Sequence, residues 1–378
     1  MTNAAPRTLS SYIRDNSDLE NGINPQGDQR VTRIPRVEEL GDGLGLEPEY
    51  LAECSPRDVP WDIHRADADE VSRMYWSHPE FSKLGGRVLQ CSLVLGFAWA
   101  LDRRDPNVQT LKLRAAHFCR VRHCPICQWR RSLMWSARVQ QALPGLMERY
   151  PTARFVFLTL TQKNVPVEHL RETLGSMNKG WARLSERKVF DSAVLGWIRT
   201  TEVTRGKDGT AHPHFHVLLM VSSNYFSKHY VKQAEWVQTW REALRIDYDP
   251  VVDVRVVQSA ATRAADVNAT GIVGAVRETL KYSVKPADMK ADEVWFLEIT
   301  RQLRKLRFIA SGGLFKDVLR PDEETEEQLL LLRKAEQSDE KASLFFDWNR
   351  PIQRYKRQFT RRNAFLQISN GKDNCRMN

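Results

Sequence analysis

"AHPHFHVLLMV", residues Ala211–Val221, decides the fold. It places three of the chain's 9 histidines within five residues and then runs into hydrocarbon. In a strand, successive side chains alternate between faces. His212, His214 and His216 therefore share one face, and Phe215, Val217 and Leu219 take the other and pack on the core. The preceding "GWIRTTEVTR" (Gly196–Arg205) reads as a second strand, with Lys207-Asp208-Gly209 as the turn of a hairpin. A three-residue turn there sets Glu202 opposite His214 on the same face. His214 and His216 then lie about 7 Å apart at Cα, two residues of strand rise. Two imidazoles and a carboxylate make a site with open positions, which suits Mg²⁺ or Mn²⁺ holding a phosphate.

Outward from the hairpin the texture is regular. "RFVFLTLT" (Arg154–Thr161) is a strand, rich in aromatic and β-branched residues, and "VVDVRVV" (Val251–Val257) is another. Glu168–Arg187 and Val231–Ala243 have helical spacing. Thr270–Val284 is predicted as a helix that stops before Pro286. Strands interleaved with helices, with at least one hairpin, predict an α+β fold with an antiparallel sheet rather than a doubly wound one.

The chain has 378 residues, a net charge of +10 and a pI of about 9.4. That balance points to a polyanionic partner. The longest apolar run, Ser92–Leu101, is far short of the roughly 20 residues that span a bilayer, so no membrane association is expected. The N-terminus has no apolar stretch that would direct export, and a cytoplasmic location follows as an expectation. In that compartment the six cysteines read as metal ligands or free thiols rather than disulfides.

A metal gripping a phosphate needs a nucleophile. "VRETLKYSVKPAD" (Val276–Asp288) supplies Glu278 and Tyr282 at a spacing of four, on one face of the predicted helix, with Lys285 three residues on. A tyrosine can attack a phosphodiester and keep the 5′ phosphate as an ester, and a lysine can add positive charge at the phosphate. Tyr225, Tyr230 and Tyr248 are alternative nucleophiles.

Four stretches, "FVFLTLTQKNVP" (Phe155–Pro166), "TEVTRGKDGTAHPHFHVLLMV" (Thr201–Val221), "ETLKYSVKPAD" (Glu278–Asp288) and "SGGLFKD" (Ser311–Asp317), occur in this order. Together they resemble the HUH-type replication initiators of small rolling-circle plasmids, in the bacterial Rep branch with an upstream cysteine motif. The likeness runs from about Cys91 to Asp317. It implies His214 and His216 as the metal pair, Tyr282 as the nucleophile and Glu278 as the residue that activates water at termination. It also implies an antiparallel sheet of about five strands flanked by helices, with the histidines on central strands. The partners it implies are plasmid origin DNA, a host helicase and a host DNA polymerase.

Upstream, "HFCRVRHCPICQWRR" (His117–Arg131) places Cys119, Cys124 and Cys127 as in a zinc knuckle, with two thiolates on one tight loop. A structural Zn²⁺ needs a fourth ligand. The resemblance implies Cys91, with His117 and His123 as runners-up. Arg120, Arg122, Arg130 and Arg131, with Trp129 and Trp135, surround the cysteines and are expected to grip DNA phosphates and stack on bases.

These readings divide the chain into four regions. Residues 1–50 form a disordered polar N-terminus, 51–140 a Cys-rich zinc and DNA-contacting module, 150–320 a nicking and ligation domain, and 321–378 a charged helical tail. The expected activity is that of a metal-dependent, site-specific DNA endonuclease and strand transferase. It would nick one strand at a plasmid double-strand origin, leave a free 3′-OH primer and terminate by a second cleavage and religation. An HUH transposase or mobilisation relaxase is one alternative. The other is a non-enzymatic, zinc-containing DNA-binding regulator, in which the histidines would be structural.

Overall fold

The computed structural model describes residues 48–102, 105, 107–257, 270–281, 283–316, 318–319, 326–331 and 342–358. Most of the expected disordered N-terminus, and Tyr282 itself, lie outside the described residues. The chain forms two compact units. Among the described residues, one gathers those within 48–66, 92–117 and 342–358, and the other those within 67–91 and 118–331.

The first unit holds a four-stranded antiparallel sheet of Val94–Leu101 (β1), Gln109–Ala116 (β2), Leu344–Asn349 (β8) and Arg354–Arg357 (β9), in the order β2-β1-β8-β9. Aromatic residues at strand spacing make its core. Phe97 meets Phe346 edge to face at 5.9 Å, and Trp348 lies 5.1 Å from Tyr355. The Tyr355 hydroxyl donates to the Ser92 carbonyl at 2.6 Å. This sheet corrects two expectations. The C-terminal region contributes a β-hairpin rather than only a charged helical tail. The segment 51–140 is shared between the two units rather than forming one module.

The second unit is built on an all-antiparallel five-stranded sheet. Its strands are Arg154–Thr161 (β3), Val194–Arg205 (β4), Ala211–Val221 (β5), Val252–Val257 (β6) and Ile309–Gly313 (β7), in the order β6-β3-β5-β4-β7. The histidine strand β5 is central, as expected. Both faces of the sheet are covered. On the histidine face, Leu218 and Met220 continue the row and pack with Phe155, Phe157 and Ile198. Val139, Leu143 and Leu146 of the helix Pro125–Arg149 and Val276 of the helix Thr270–Thr279 complete that layer. On the opposite face, Phe215 meets Trp240 of the helix Gln233–Leu244, and Arg199 binds Asn178 of the helix Leu170–Ser185. The doubled glycine of "SGGLFKD" has a steric reason. A Cβ on Gly312 would fall 2.5 Å from the Trp197 ring, and Gly313 sits at φ +55°.

Four helices frame the candidate sites: Ser82–Leu89 (α1), Pro125–Arg149 (α2), Leu170–Ser185 (α3) and Thr270–Thr279, the last labelled α4 below. Pro125 at the first position of α2 supplies a preset φ where its missing N–H costs nothing. Helix α4 is shorter than predicted. The Thr200 hydroxyl donates to the Thr279 carbonyl, and the Val203 N–H donates to the Ser283 carbonyl at 2.9 Å. Strand β4 thus captures the backbone that would have continued the helix to Val284. Helix α4 therefore carries Glu278 but ends at Thr279, and Tyr282 lies outside the described residues.

Candidate active site and cysteine cluster

The hairpin register brings Glu202 opposite His214 and Thr200 opposite His216. Across the other ladder, Thr159 faces His216 and Thr161 faces His214. The side chains converge as this pairing dictates. Glu202 Oε2 lies 3.0 Å from His214 Nε2 and 2.7 Å from His216 Nε2. All three residues are buried, and their potential ligand atoms lie within 4.8 Å of one another. Each imidazole is also held on its other edge. His216 Nδ1 lies 3.4 Å from Thr159 Oγ1, and His214 Nδ1 lies 3.4 Å from the His212 carbonyl. An Nδ1–H donated to these oxygens would leave Nε2 free as a ligand, the arrangement typical of metal-binding histidines. Burial on its own would raise the Glu202 carboxyl. The hydrogen bonds with His214 and His216 outweigh it and hold the group below the usual carboxylate range. Two imidazoles and a carboxylate fit a divalent cation.

His212 stands at the rim, half-buried. Burial and repulsion from His214 lower its pKa, opposed by Glu202. Lys285 Nζ lies 3.8 Å from Glu202 Oε1, so the structure joins the lysine to the histidine–carboxylate group. Glu278 is paired with Lys281 at the surface. Among the alternative tyrosines, Tyr225 is buried and follows the far end of β5, about 17 Å of strand rise beyond His216. Tyr230 packs against it. Tyr248 is tied elsewhere, its hydroxyl accepting from the Lys163 N–H at 3.2 Å.

The four cysteines come from two segments. Cys91 follows α1, while Cys119, Cys124 and Cys127 come from the loop before α2 and its first turn. All are buried, with their sulfurs within 4.8 Å of one another. Sγ of Cys127 lies 3.6 Å from that of Cys91 and 3.7 Å from that of Cys119. A tetrahedral zinc with sulfurs at about 2.3 Å requires sulfur separations of about 3.8 Å. The set therefore fits a structural Zn²⁺. Burial pushes the Cys119 and Cys124 thiols up. Burial acts the same way on Cys91, but hydrogen bonds from the other thiols and the Cys119 N–H draw it down. Neither runner-up ligand enters the group. His123 is fully buried against Phe296, and neither ring nitrogen has a hydrogen-bond partner.

The arginines part company. Arg120, Arg122 and Arg131 line a cleft together with Lys281 and Ser283. The Arg122 guanidinium lies 4.4 Å over the Phe308 ring and donates to the Leu306 carbonyl. Arg130 turns inward. It is 6% exposed and donates to the Leu329 carbonyl at 2.8 Å, which removes it from the surface expected to meet DNA. Sequence carried the signal, because Arg130 falls midway between Ile126 and Met134, four residues from each on the buried face of α2.

Residues 110–356, more than half of the chain, match the Rep_1 family model, described as replication protein. A protein rep of Bacillus amyloliquefaciens is 36% identical over 260 residues, covering 64% of this chain and 73% of the relative. A protein rep of a Bacillus species is 38% identical over 256 residues, covering 64% of this chain and 81% of the relative. One from Streptococcus pneumoniae is 36% identical over 237 residues, covering 61% and 70%. This chain belongs to that family of replication proteins. No solved structure matches it. Among the described residues, no helix is long and apolar enough to cross a membrane.

Proposed function

We propose that this protein initiates rolling-circle replication of a plasmid by nicking one strand of its double-strand origin. The observation that carries the reading is the buried Glu202–His214–His216 group on the central hairpin of a replication protein. Glu202, His214 and His216 would hold Mg²⁺ or Mn²⁺, which when bound supplies positive charge to the scissile phosphate. Thr159 and the His212 carbonyl keep the two rings oriented. Tyr282 is the nucleophile by its place in the matched motif. Its phenolic oxygen gives up its proton to solvent and bonds to phosphorus, the P–O3′ bond breaks, and the departing oxygen takes up a proton from solvent to become the 3′-OH primer. Lys285, beside Glu202, offers a further cation to the phosphate. Cys91, Cys119, Cys124 and Cys127 would hold a structural Zn²⁺ that fixes the loop carrying Arg120 and Arg122. The polyanion is origin DNA in the cytoplasm, with a host helicase and DNA polymerase extending the primer.

Glu278 acts at termination as the base for a water molecule, leaving its pair with Lys281 to do so. The variant Glu278→Ala would nick normally but release multimeric single strands rather than unit circles. The decisive experiment incubates the protein with labelled single-stranded origin DNA and Mn²⁺ and seeks a covalent adduct on a denaturing gel. Tyr282→Phe is expected to form none. An adduct mapped by mass spectrometry to Tyr225, Tyr230 or Tyr248 would overturn the assignment, and no adduct with the parent protein would overturn the function.

A further inference from the structure

The cleft beside the cysteine cluster has a volume of about 300 Å³. Its walls are the cysteine loop, the first turns of α2, residues Thr200 and Thr201 of β4, and the segment after α4. It lies one residue along β4 from Glu202. Arg120, Arg122 and Arg131 line it, together with Lys281, whose ammonium is paired with Glu278, and among the described residues no lining side chain is acidic. Three guanidinium groups gathered around a concavity favour an anion.

The cationic groups are held in place. Arg122 is fixed on Phe308, and Arg131 donates to the Arg120 carbonyl at 3.0 Å. Arg120 itself sits at φ +56°, a left-handed conformation uncommon for a residue with a Cβ. Such a conformation persists where surrounding structure enforces it, and it gathers at functional sites.

A second, independent feature points to a ligand. Gln128 is buried and lines the cleft. Its Oε1 accepts from the Ser283 hydroxyl at 3.0 Å, but its Nε2 has no partner. A buried donor left unpaired is costly, so an acceptor arriving in the cleft would satisfy it. Trp135 and Phe308 add aromatic surface to the same walls. An anion alone has no use for that surface, whereas a nucleotide does, because every base has a face that stacks. The volume is at the small end of ligand cavities, which run from roughly 300 to 1,000 Å³, and admits one nucleotide rather than a duplex.

We propose that this cleft is a single-nucleotide pocket that seats one unpaired nucleotide of the DNA strand, its phosphate on Arg120, Arg122 and Arg131 and its base against Trp135 and Phe308. Gln128 Nε2 donates to an acceptor on that nucleotide. The identity of the strand rests on the nicking function proposed above; the pocket itself rests on its lining.

The test uses the full chain without added Mg²⁺ or Mn²⁺ and a fluorescein-labelled ten-residue thymidine oligonucleotide, read by fluorescence polarisation. Arg120→Gly removes a guanidinium while suiting the left-handed backbone, so its fold is kept. Gln128→Glu retains an acceptor for Ser283 and replaces the free donor with a negative charge. Each variant should weaken binding of the single strand by about tenfold or more. Thymidine 5′-monophosphate should compete with the oligonucleotide on the parent and fail to do so on both variants. Parent-like affinity in both folded variants would overturn the pocket. So would inorganic phosphate competing as well as the mononucleotide at matched ionic strength, which marks a plain anion site. Adduct formation by the parent is scored separately. Adduct with unaffected variants sinks the pocket and spares the nicking function, and weakened variants without any parent adduct do the reverse.

Discussion

The two candidate metal groups are assembled in opposite ways. Glu202, His214 and His216 come from one hairpin, and two β-ladders fix their positions before any ion arrives. The cysteine group joins Cys91 to a loop and helix start beginning at Cys119, and few backbone hydrogen bonds brace that loop. The first group is a site carried by a fold, and the second is expected to be a fold held by its site. An ion should therefore be dispensable to the structure of the hairpin and essential to that of the cysteine loop.

Removing a cysteine should give the largest effect. Structural zinc contributes about 10–16 kcal/mol of apparent binding energy in small modules, and most of that is folding energy. Cys124→Ser is expected to lose stoichiometric zinc, to lower the melting temperature by many degrees, and to raise hydrogen exchange across residues 118–131. Full protection there in zinc-free protein would erase the contrast between the two groups.

His216→Ala should divide the other way. Metal-dependent nicking should fall below detection, because a ligand of the phosphate-positioning ion is lost. Stability should fall by only about 1.5–3 kcal/mol, the usual worth of one hydrogen bond to a charged group, because Glu202 keeps its contact with His214. Hydrogen exchange along β5 should stay slow. Unfolding of the hairpin in this variant would show that the ladders do not hold the site unaided.

The same difference explains what was legible in the sequence. Register within a hairpin follows from turn length, so Glu202 could be set against His214 from residue spacing alone. The four-stranded sheet could not be read, since β1 pairs with β8 across more than two hundred residues and local pattern carries no such pairing. The end of α4 was misread for a related reason. Helical spacing continues to Val284, but Thr200 and Val203 on a distant strand bind the backbone there. Arg130 was misassigned because charge was weighed above its place between Ile126 and Met134.

His123 sharpens the comparison through pH. Burial first, then repulsion from Arg122 and Arg131, push its imidazole down to about 3 from an ordinary value of 6.5. A lowered histidine contributes stability that is whole above pH 6.5 and is lost as pH falls from there towards 3. At pH 5.5 the loss is about 1.4 kcal/mol. His123→Phe preserves the contact with Phe296 and removes the charge to be buried. It should melt above the parent at pH 5.5 by a margin that shrinks at pH 8. Because thiolate protonation weakens zinc binding equally in both proteins, the difference between them isolates the imidazole. An identical margin at both pH values would place the titration elsewhere.

The smallest effect falls where the two groups meet. Ser283 is held from both sides: its hydroxyl donates to Gln128, which adjoins Cys127, and its carbonyl accepts from Val203, which adjoins Glu202. The residue before it is Tyr282. The hairpin and the cysteine loop therefore act on the same short segment, and Ser283 is expected to position the candidate nucleophile beside it. Ser283→Ala keeps the backbone bond to Val203 and loses only the tether to the cysteine side. A single hydrogen bond is worth about 0.5–1.5 kcal/mol, so the rate of adduct formation at saturating DNA and Mn²⁺ should drop by about two- to thirteen-fold. The Mn²⁺ concentration giving half-maximal rate should not move, because Glu202, His214 and His216 are untouched. Ser283→Thr, which retains the hydroxyl, should recover most of the rate. A shift in Mn²⁺ dependence with no change in maximal rate would mean that Ser283 supports the hairpin group rather than the nucleophile, and that the cysteine side does not reach the chemistry through this contact.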